Sequence, residues 1–220
     1  MNGDGRYLLD NQRSEAGRRF DALAELFDPS TFRHLAALGI SPGWRVWEVG
    51  AGGPSVARWL ADQVGREGSV LASDIDTAWL ERDEQRRYEV RRHDVGTDPK
   101  PEGLFDLVHS RLVLVHVAER DRAIESMVSA LAPGGWLVLE EADPGLQELA
   151  CPDECGDAER LANQIRRAFR SLMAERDVDL ALGRTLPRRL GEAGLTAVGS
   201  EAFFPMAGAR TLNWNARPSN

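Results

Sequence analysis

The chain has 220 residues, enough for one domain with a substantial hydrophobic core, and its 42% hydrophobic and 28% charged residues are typical of a globular protein. Its formal net charge of −8 opposes a general electrostatic attraction to nucleic acid, so we expect no nucleic-acid partner. The first thirty residues are too charged for a secretory signal, and no stretch approaches the length of a membrane span, which predicts a cytoplasmic protein without a membrane partner.

The N-terminal part of the chain is predicted to be helical. Apolar residues recur at helical spacing over residues 14–27, which indicates an amphipathic helix. The tripeptide Asp28-Pro29-Ser30 is expected to end it, with a second short helix running on to residue 38. Residues 1–40 are therefore predicted to form a helical lid segment ahead of the main domain, residues 41–220.

Residues 45–76 carry the pattern around which the chain is organised. An apolar strand-like stretch leads into a glycine turn and then an amphipathic run, and a second strand-like stretch ends at Asp74. In order, these segments are residues 46–49, Gly50 to Gly53, residues 56–61 and residues 69–73. This is the opening β-α-β of a nucleotide-binding sheet, in which the glycines let the backbone approach a ligand.

Strand and helix patterns keep alternating beyond Asp74. Further strands are predicted at residues 88–92, 104–109, 136–140 and 197–206, and helices at 77–84, 120–131, 158–175 and 183–194. The acidic segment 141–157 fits a long loop or lid. The alternation predicts an α/β fold: a Rossmann-like, doubly wound and mostly parallel sheet, with N-terminal helices and a helical lid insertion.

Four motifs in order resemble those of class I S-adenosylmethionine-dependent methyltransferases. They are residues 48–53, Asp74, Asp94-Val95 and Pro133-Gly134-Gly135. The chain is more narrowly similar, over residues 40–205, to the small-molecule branch that includes quinone-biosynthesis and natural-product methyltransferases. The resemblance implies transfer of a methyl group from S-adenosyl-L-methionine to an oxygen, carbon or nitrogen of a small organic metabolite.

The resemblance also implies a set of cofactor-binding residues. Glu48 would anchor the ammonium group, Asp74 would accept hydrogen bonds from the ribose hydroxyls, Ile75 would face the adenine, and Asp94 would accept from its exocyclic amine. Tyr7 would close over the cofactor from the N-terminal segment. The full set is Tyr7, Glu48, Gly50, Gly52, Asp74, Ile75, Asp94, Val95 and Ser110.

Two residues past the fourth predicted strand are candidates for the acceptor side of the site. His109 can act as a general base, although a histidine after an apolar strand can equally be structural. Arg111 can bind an acidic substrate group or pair with a nearby carboxylate. The Glu140-Glu141 pair is interpreted as a strand end with one exposed member. No cluster in the sequence has metal-ligand spacing, so we expect no metal.

Departures from the family pattern leave an alternative open. Pro54 stands where the family usually has a third glycine, and residues 210–220 hold no apolar run that predicts the usual seventh strand. These features motivate a non-catalytic cofactor- or partner-binding protein on the same fold. An NAD-binding fingerprint is disfavoured because Ser55 stands where it needs glycine. An uncovered sheet edge together with the N-terminal helices predicts a possible homodimer.

Overall fold

Five parallel strands in the order β3-β2-β1-β4-β5 form the sheet of the computed structural model, which describes residues 15–176 and 178–203. The strands are β1 Arg45–Val49, β2 Ser69–Asp74, β3 Glu89–Arg92, β4 Phe105–Arg111 and β5 Leu131–Glu140. The helices are α1 Glu15–Ala37, α2 Ser55–Val64, α3 Ala78–Glu81, α4 Arg120–Ser129, α5 Asp157–Ala174 and α6 Leu182–Glu192. The Rossmann-like parallel sheet predicted from the alternation is confirmed.

Helices cover both faces of the sheet because both faces of its central strands are apolar. On one face, Val46 and Leu107 pack with Leu35 of α1 and Leu60 of α2. On the other face, residues of β1 and β4 pack with α4, α5 and α6, through side chains that include Trp47, Val108, Ile124, Met173 and Leu186. Among the helices that the structure describes, none is long and apolar enough to cross a membrane.

The predicted break at Pro29 is wrong, because α1 runs without interruption from Glu15 to Ala37 with Pro29 inside it. A proline in a helix removes one backbone hydrogen bond and crowds the preceding turn. Contacts on both sides of the proline offset that cost: Asp28 pairs with Arg111, and the Thr31 hydroxyl donates to Glu140. The local sequence signal for a helix end is thus overridden by tertiary contacts.

Two other predicted boundaries shift for identifiable reasons. The tripeptide Pro133-Gly134-Gly135 lies within β5 and interrupts its register, since Phe105 pairs with Leu131 and Leu107 with Trp136. A Cβ on Gly135 would lie 2.9 Å from the carbonyl oxygen of Phe105, so only glycine fits there. The helix predicted over residues 77–84 is limited to α3, because Asp83 accepts the Gln85 N–H and turns the chain.

The predicted sixth strand does not form in residues 197–203, where the chain has no regular secondary structure. Two side chains of this segment contact α1 instead. Glu201 pairs with Arg33, and the Phe203 ring contacts the Phe27 ring edge-on at 6.4 Å. Tyr7, the end of that predicted strand at residues 204–206, and the missing seventh strand at 210–220 lie outside the described residues.

Candidate functional site

The register of the sheet brings the predicted site residues to one edge. Val49 of β1 is level with Ser73 of β2 and with Ser110 of β4, and Asp74 is level with Arg92 of β3. The glycine turn, Asp74 and the residues after β3 therefore all follow the carboxyl ends of adjacent parallel strands. In open α/β sheets this edge is where ligands bind.

The glycine turn itself is tight and closely covered. Gly50 and Gly52 have φ of 63° and 59°, a backbone region that side chains disfavour. A Cβ on Gly52 would lie 2.6 Å from the Phe20 ring of α1, and a Cβ on Gly50 would collide with the Val113 side chain. Both positions therefore require glycine for two reasons: the backbone conformation disfavours a side chain, and the neighbouring side chain leaves no room for a Cβ.

Asp74 is held by the backbone on both sides of its carboxylate. Its Oδ2 accepts the Gly52 N–H at 2.9 Å and its Oδ1 accepts the Asp76 N–H at 2.9 Å. The residue is 7% exposed, and burial raises the pKa of its carboxyl above the usual value. Next to it, Ile75 is 48% exposed, an apolar side chain left open beside a carboxylate.

Asp94 and Val95 follow β3 at the same edge. The Asp94 carboxylate accepts the Gly96 N–H through Oδ1 at 2.9 Å, while its own N–H donates to Asp98 Oδ2. Val95 is buried in the core. These hydrogen bonds define the turn after β3 and place a partly exposed carboxylate one strand away from Asp74.

A buried polar network connects β1, β4 and β5 beneath α1. His109 Nδ1 lies 2.5 Å from Glu48 Oε2, and His109 Nε2 lies 3.2 Å from Glu140 Oε2. Burial lowers the pKa of His109, but the two carboxylates more than offset this and raise it to about 9. Burial likewise opposes ionisation of Glu140, but its hydrogen bonds, first that of His109, lower its pKa to about 2. At neutral pH the imidazolium therefore donates to two carboxylates.

Helix α1 joins this network from above. The Thr31 hydroxyl donates to Glu140 Oε2 at 2.6 Å, and His34 Nδ1 lies 3.2 Å from Glu140 Oε1. Arg111 donates to Asp28 and to the Thr31 hydroxyl, each at 2.9 Å. Arg111 thus pairs with a carboxylate of α1, one of the two interactions predicted for it from the sequence. Its role in substrate binding stays a prediction.

Two predicted cofactor-binding residues remain: Ser110, which is buried, and Tyr7, which lies outside the described residues. Ser110 is fully buried, and its Oγ has no hydrogen-bond partner in the described part of the chain.

Within residues 15–176 and 178–203, no three histidine, cysteine or carboxylate side chains are grouped so as to hold a metal ion. Cys151 and Cys155 are both free thiols.

Sequence reasoning missed Glu141. It expected one exposed carboxylate at the end of β5, but the Glu140 side chain is only 17% exposed and Glu141 Oε2 is shielded from solvent. Glu141 Oε1 accepts the N–H groups of Val113 and Leu114 at 2.9 and 2.7 Å. Burial raises the pKa of Glu141 to about 7. Its position just past a predicted strand was the signal available, because polar residues there adjoin the ligand edge.

Comparison with known proteins agrees with this geometry. The family model described as a methyltransferase domain matches residues 47–139, from within β1 to the last but one residue of β5. Over these residues the chain is similar to methyltransferase domains. The matched stretch contains the glycine turn, Asp74, Asp94 and His109, and it ends one residue before Glu140.

Two curated proteins similar to this chain are named as enzymes of quinone biosynthesis. The chain is 28% identical over 135 residues to the ubiquinone/menaquinone biosynthesis C-methyltransferase UbiE of Laribacter hongkongensis, covering 56% of this chain and 55% of that protein. It is 33% identical over 121 residues to the same enzyme of Vibrio cholerae, covering 51% and 46%. The chain therefore spans about half the length of the curated relatives it matches.

Solved structures share the fold over a longer stretch. A SAM-dependent methyltransferase from Aquifex aeolicus superposes with a TM-score of 0.58 at 20% identity, covering 84% of this chain and 88% of that one. Phosphoethanolamine N-methyltransferase 2 of Haemonchus contortus, solved with S-adenosyl-L-methionine, gives a TM-score of 0.52 at 20% identity, covering 70% and 34%. At such identities the likeness establishes the fold alone.

Proposed function

We propose that the protein is an S-adenosyl-L-methionine-dependent methyltransferase that acts on an oxygen, carbon or nitrogen of a small organic metabolite. The observation that carries the proposal is the arrangement of Asp74 beside the glycine turn, with the Gly52 N–H bonded to its carboxylate. Among the three acceptor atoms, the names of the curated relatives support carbon.

The side chains at the carboxyl edge suit an adenosine-bearing ligand. Both Asp74 oxygens accept backbone N–H groups, and a carboxylate can also accept hydrogen bonds from hydroxyl donors. Ile75 offers an exposed apolar surface next to it, and Asp94 provides a second carboxylate on the neighbouring strand. The two hydroxyls of a ribose match Asp74, the flat face of an adenine base matches Ile75, and the amino group of that base matches Asp94.

The methyl group of S-adenosyl-L-methionine is already activated by its sulfonium, so this chain mainly has to bind, orient and exclude water. Phe20 and α1 cover the glycine turn from one side, which restricts solvent there. The imidazolium of His109 fixes Glu48, the predicted anchor of the ammonium group. We therefore favour a positioning role for His109; its role as a general base stays a prediction.

The N-terminal segment is proposed to act as a lid over this site. Within the described residues, α1 contacts the glycine turn through Phe20 and the sheet through Thr31 and Asp28. The possible homodimer, the absence of a nucleic-acid partner and the cytoplasmic location stay predictions. Size-exclusion chromatography with light scattering measures the first of these directly.

The proposed function is tested by calorimetric titration with S-adenosylhomocysteine, with NAD as the competing ligand. We expect micromolar or tighter binding of S-adenosylhomocysteine and none of NAD. Asp74→Ala should weaken the affinity at least about tenfold, because charged hydrogen bonds are lost. Asp106→Asn is the matched control, since Asp106 also accepts a backbone N–H, that of Arg45, at the opposite edge.

Two results would contradict the proposal. A folded wild-type chain that binds NAD in place of S-adenosylhomocysteine is a nucleotide-binding protein of another class. A chain that binds S-adenosylhomocysteine equally well with Asp74 or alanine at this position does not use the predicted edge. Binding as proposed justifies a screen of phenolic and quinone-like acceptors.

A further inference from the structure

The segment that follows β4 is held by one carboxylate from the next strand. Glu141, directly after β5, accepts the N–H groups of both Val113 and Leu114 through a single oxygen. These two residues begin a short 3-10 turn, Leu114–His116, whose first N–H groups have no partner within the turn. Glu141 therefore caps this turn from outside the segment, across the sheet edge.

The second oxygen of Glu141 is unusual. Oε2 is buried and has no hydrogen-bond partner among the described residues. A buried acceptor without a partner is costly, and a shorter or apolar side chain would avoid that cost. Among the described residues, the hydrogen bonds of the carboxylate are made through Oε1, so what this side chain provides is its contact with the Val113 and Leu114 amides.

The capped segment reaches the glycine turn through one side chain. Val113 packs so closely on Gly50 that no Cβ would fit between them. Immediately before it, Leu112 has φ of 58°, a left-handed conformation that costs free energy in a residue with a Cβ. The Leu112 N–H donates to the Glu140 carbonyl oxygen. The N–H groups of this strained turn thus bond to the carbonyl oxygen of Glu140 and to the carboxylate of Glu141, and these bonds hold the turn in place.

We propose that Glu141 is a positioning residue for the cofactor site: its carboxylate holds the segment Leu112–Leu114 so that Val113 closes against Gly50. The inference rests on the proposed function for its effect on cofactor affinity, but not for its effect on the segment. Without the carboxylate, Leu112 can relax to an ordinary conformation, and Val113 then moves away from the glycine turn.

The effect on the segment is measured without any cofactor. Amide hydrogen exchange on the free protein reports on the N–H groups of Val113 and Leu114. Glu141→Ala should raise their exchange rates at least about tenfold, whereas Glu141→Gln should leave them near the wild-type rates, because the amide oxygen still accepts both bonds. Asp143→Ala is the matched control: Asp143 also accepts two backbone N–H groups, those of Leu146 and Arg184, in the adjoining segment.

The effect on the site is measured by S-adenosylhomocysteine titration of the same variants. We expect Glu141→Ala to weaken binding at least about fivefold, with Glu141→Gln and Asp143→Ala within about twofold of wild type. Val113→Ala is a second arm that keeps the Glu141 contacts. It should weaken binding while leaving the exchange rate of the Leu114 amide unchanged.

The outcomes separate this inference from the proposed function. If the wild-type chain does not bind S-adenosylhomocysteine, the proposed function fails, and the exchange rates still decide whether Glu141 holds the segment. If the wild type binds and Glu141→Ala binds equally well despite faster exchange, the positioning role is overturned. Equal exchange rates in Glu141→Ala and wild type overturn it as well.

Discussion

The imidazole Nδ1 of His109 lies 2.5 Å from the carboxylate Oε2 of Glu48, and both side chains are buried. The pair joins β4 to the last but one residue of β1, two residues before the glycine turn begins at Gly50. A buried charge is costly unless it is paired, and His109 has two carboxylate partners, Glu48 and Glu140. The site is therefore built around a buried histidine whose pKa the neighbouring carboxylates raise.

We expect this pair to make the free energy of unfolding fall as the pH becomes alkaline. The pKa of folded His109 is raised to about 9 from an unfolded value of about 6.5. Its contribution to the free energy of unfolding is fully present below pH 6.5 and is lost as the pH rises through 9. Urea unfolding between pH 6 and 9.5 should show this fall in the wild type and a smaller one in His109→Gln. Equal slopes for the two proteins would contradict the assignment.

The contact of α1 with the sheet gives a second prediction. Thr31 is fully buried, donates to Glu140 and accepts from Arg111, so Thr31→Val should lower the free energy of unfolding by about 1–3 kcal/mol. Thr77→Val is the control, because Thr77 makes a similar bond to Glu81 at an exposed position. That variant should stay within about 0.5 kcal/mol of wild type. Urea unfolding at pH 7 measures both; similar losses in the two variants would argue against a special role for the α1 contact.

The sheet and the glycine turn were predictable from the sequence because their signals are local. Apolar stretches that alternate with amphipathic runs, and glycines directly after the first strand, encode a parallel sheet and its ligand edge. Asp74 was predictable for the same reason, since it ends the second strand. Its two backbone hydrogen bonds follow from that place.

The parts that were missed depend on distant contacts. The continuity of α1 through Pro29 rests on Arg111 and Glu140, which lie about 80 to 110 residues away in sequence. Glu141 caps a turn 27 residues earlier, a pairing that no local pattern marks. Residues 197–203 have strand-like composition, but they pack on α1 rather than on the sheet. Only the assembled fold shows these relationships.

The fit of Phe20 over the glycine turn gives a third prediction. Gly52→Ala introduces a Cβ in a left-handed conformation and 2.6 Å from the Phe20 ring. Gly39→Ala is a matched control, because Gly39 has φ of 74° but nothing within 4 Å of the added atom. We expect Gly39→Ala to cost about 1–2 kcal/mol of unfolding free energy from backbone strain alone, and Gly52→Ala to cost more.

The difference between the two glycine variants measures the close approach of α1. The double variant Gly52→Ala with Phe20→Ala should recover part of the excess loss, since the clash is then removed. Thermal or urea unfolding of the wild type, Gly52→Ala, Phe20→Ala and the double variant completes this double-mutant cycle. If Gly52→Ala and Gly39→Ala are equally destabilised, Phe20 does not restrict the glycine turn.

The last prediction concerns Glu141, whose pKa burial raises to about 7 although the hydrogen bonds from the Leu114 and Val113 N–H groups lower it. A carboxyl whose folded pKa exceeds its unfolded value of about 4.5 contributes stability that is fully present below pH 4.5. That contribution is lost as the pH rises through 7, and the shift corresponds to about 3 kcal/mol. The difference in unfolding free energy between wild type and Glu141→Gln should therefore change by that order between pH 4.5 and 8, with the variant gaining on the wild type as pH rises. Urea unfolding at half-unit pH steps measures it, and a difference that does not vary with pH would show that Glu141 titrates normally.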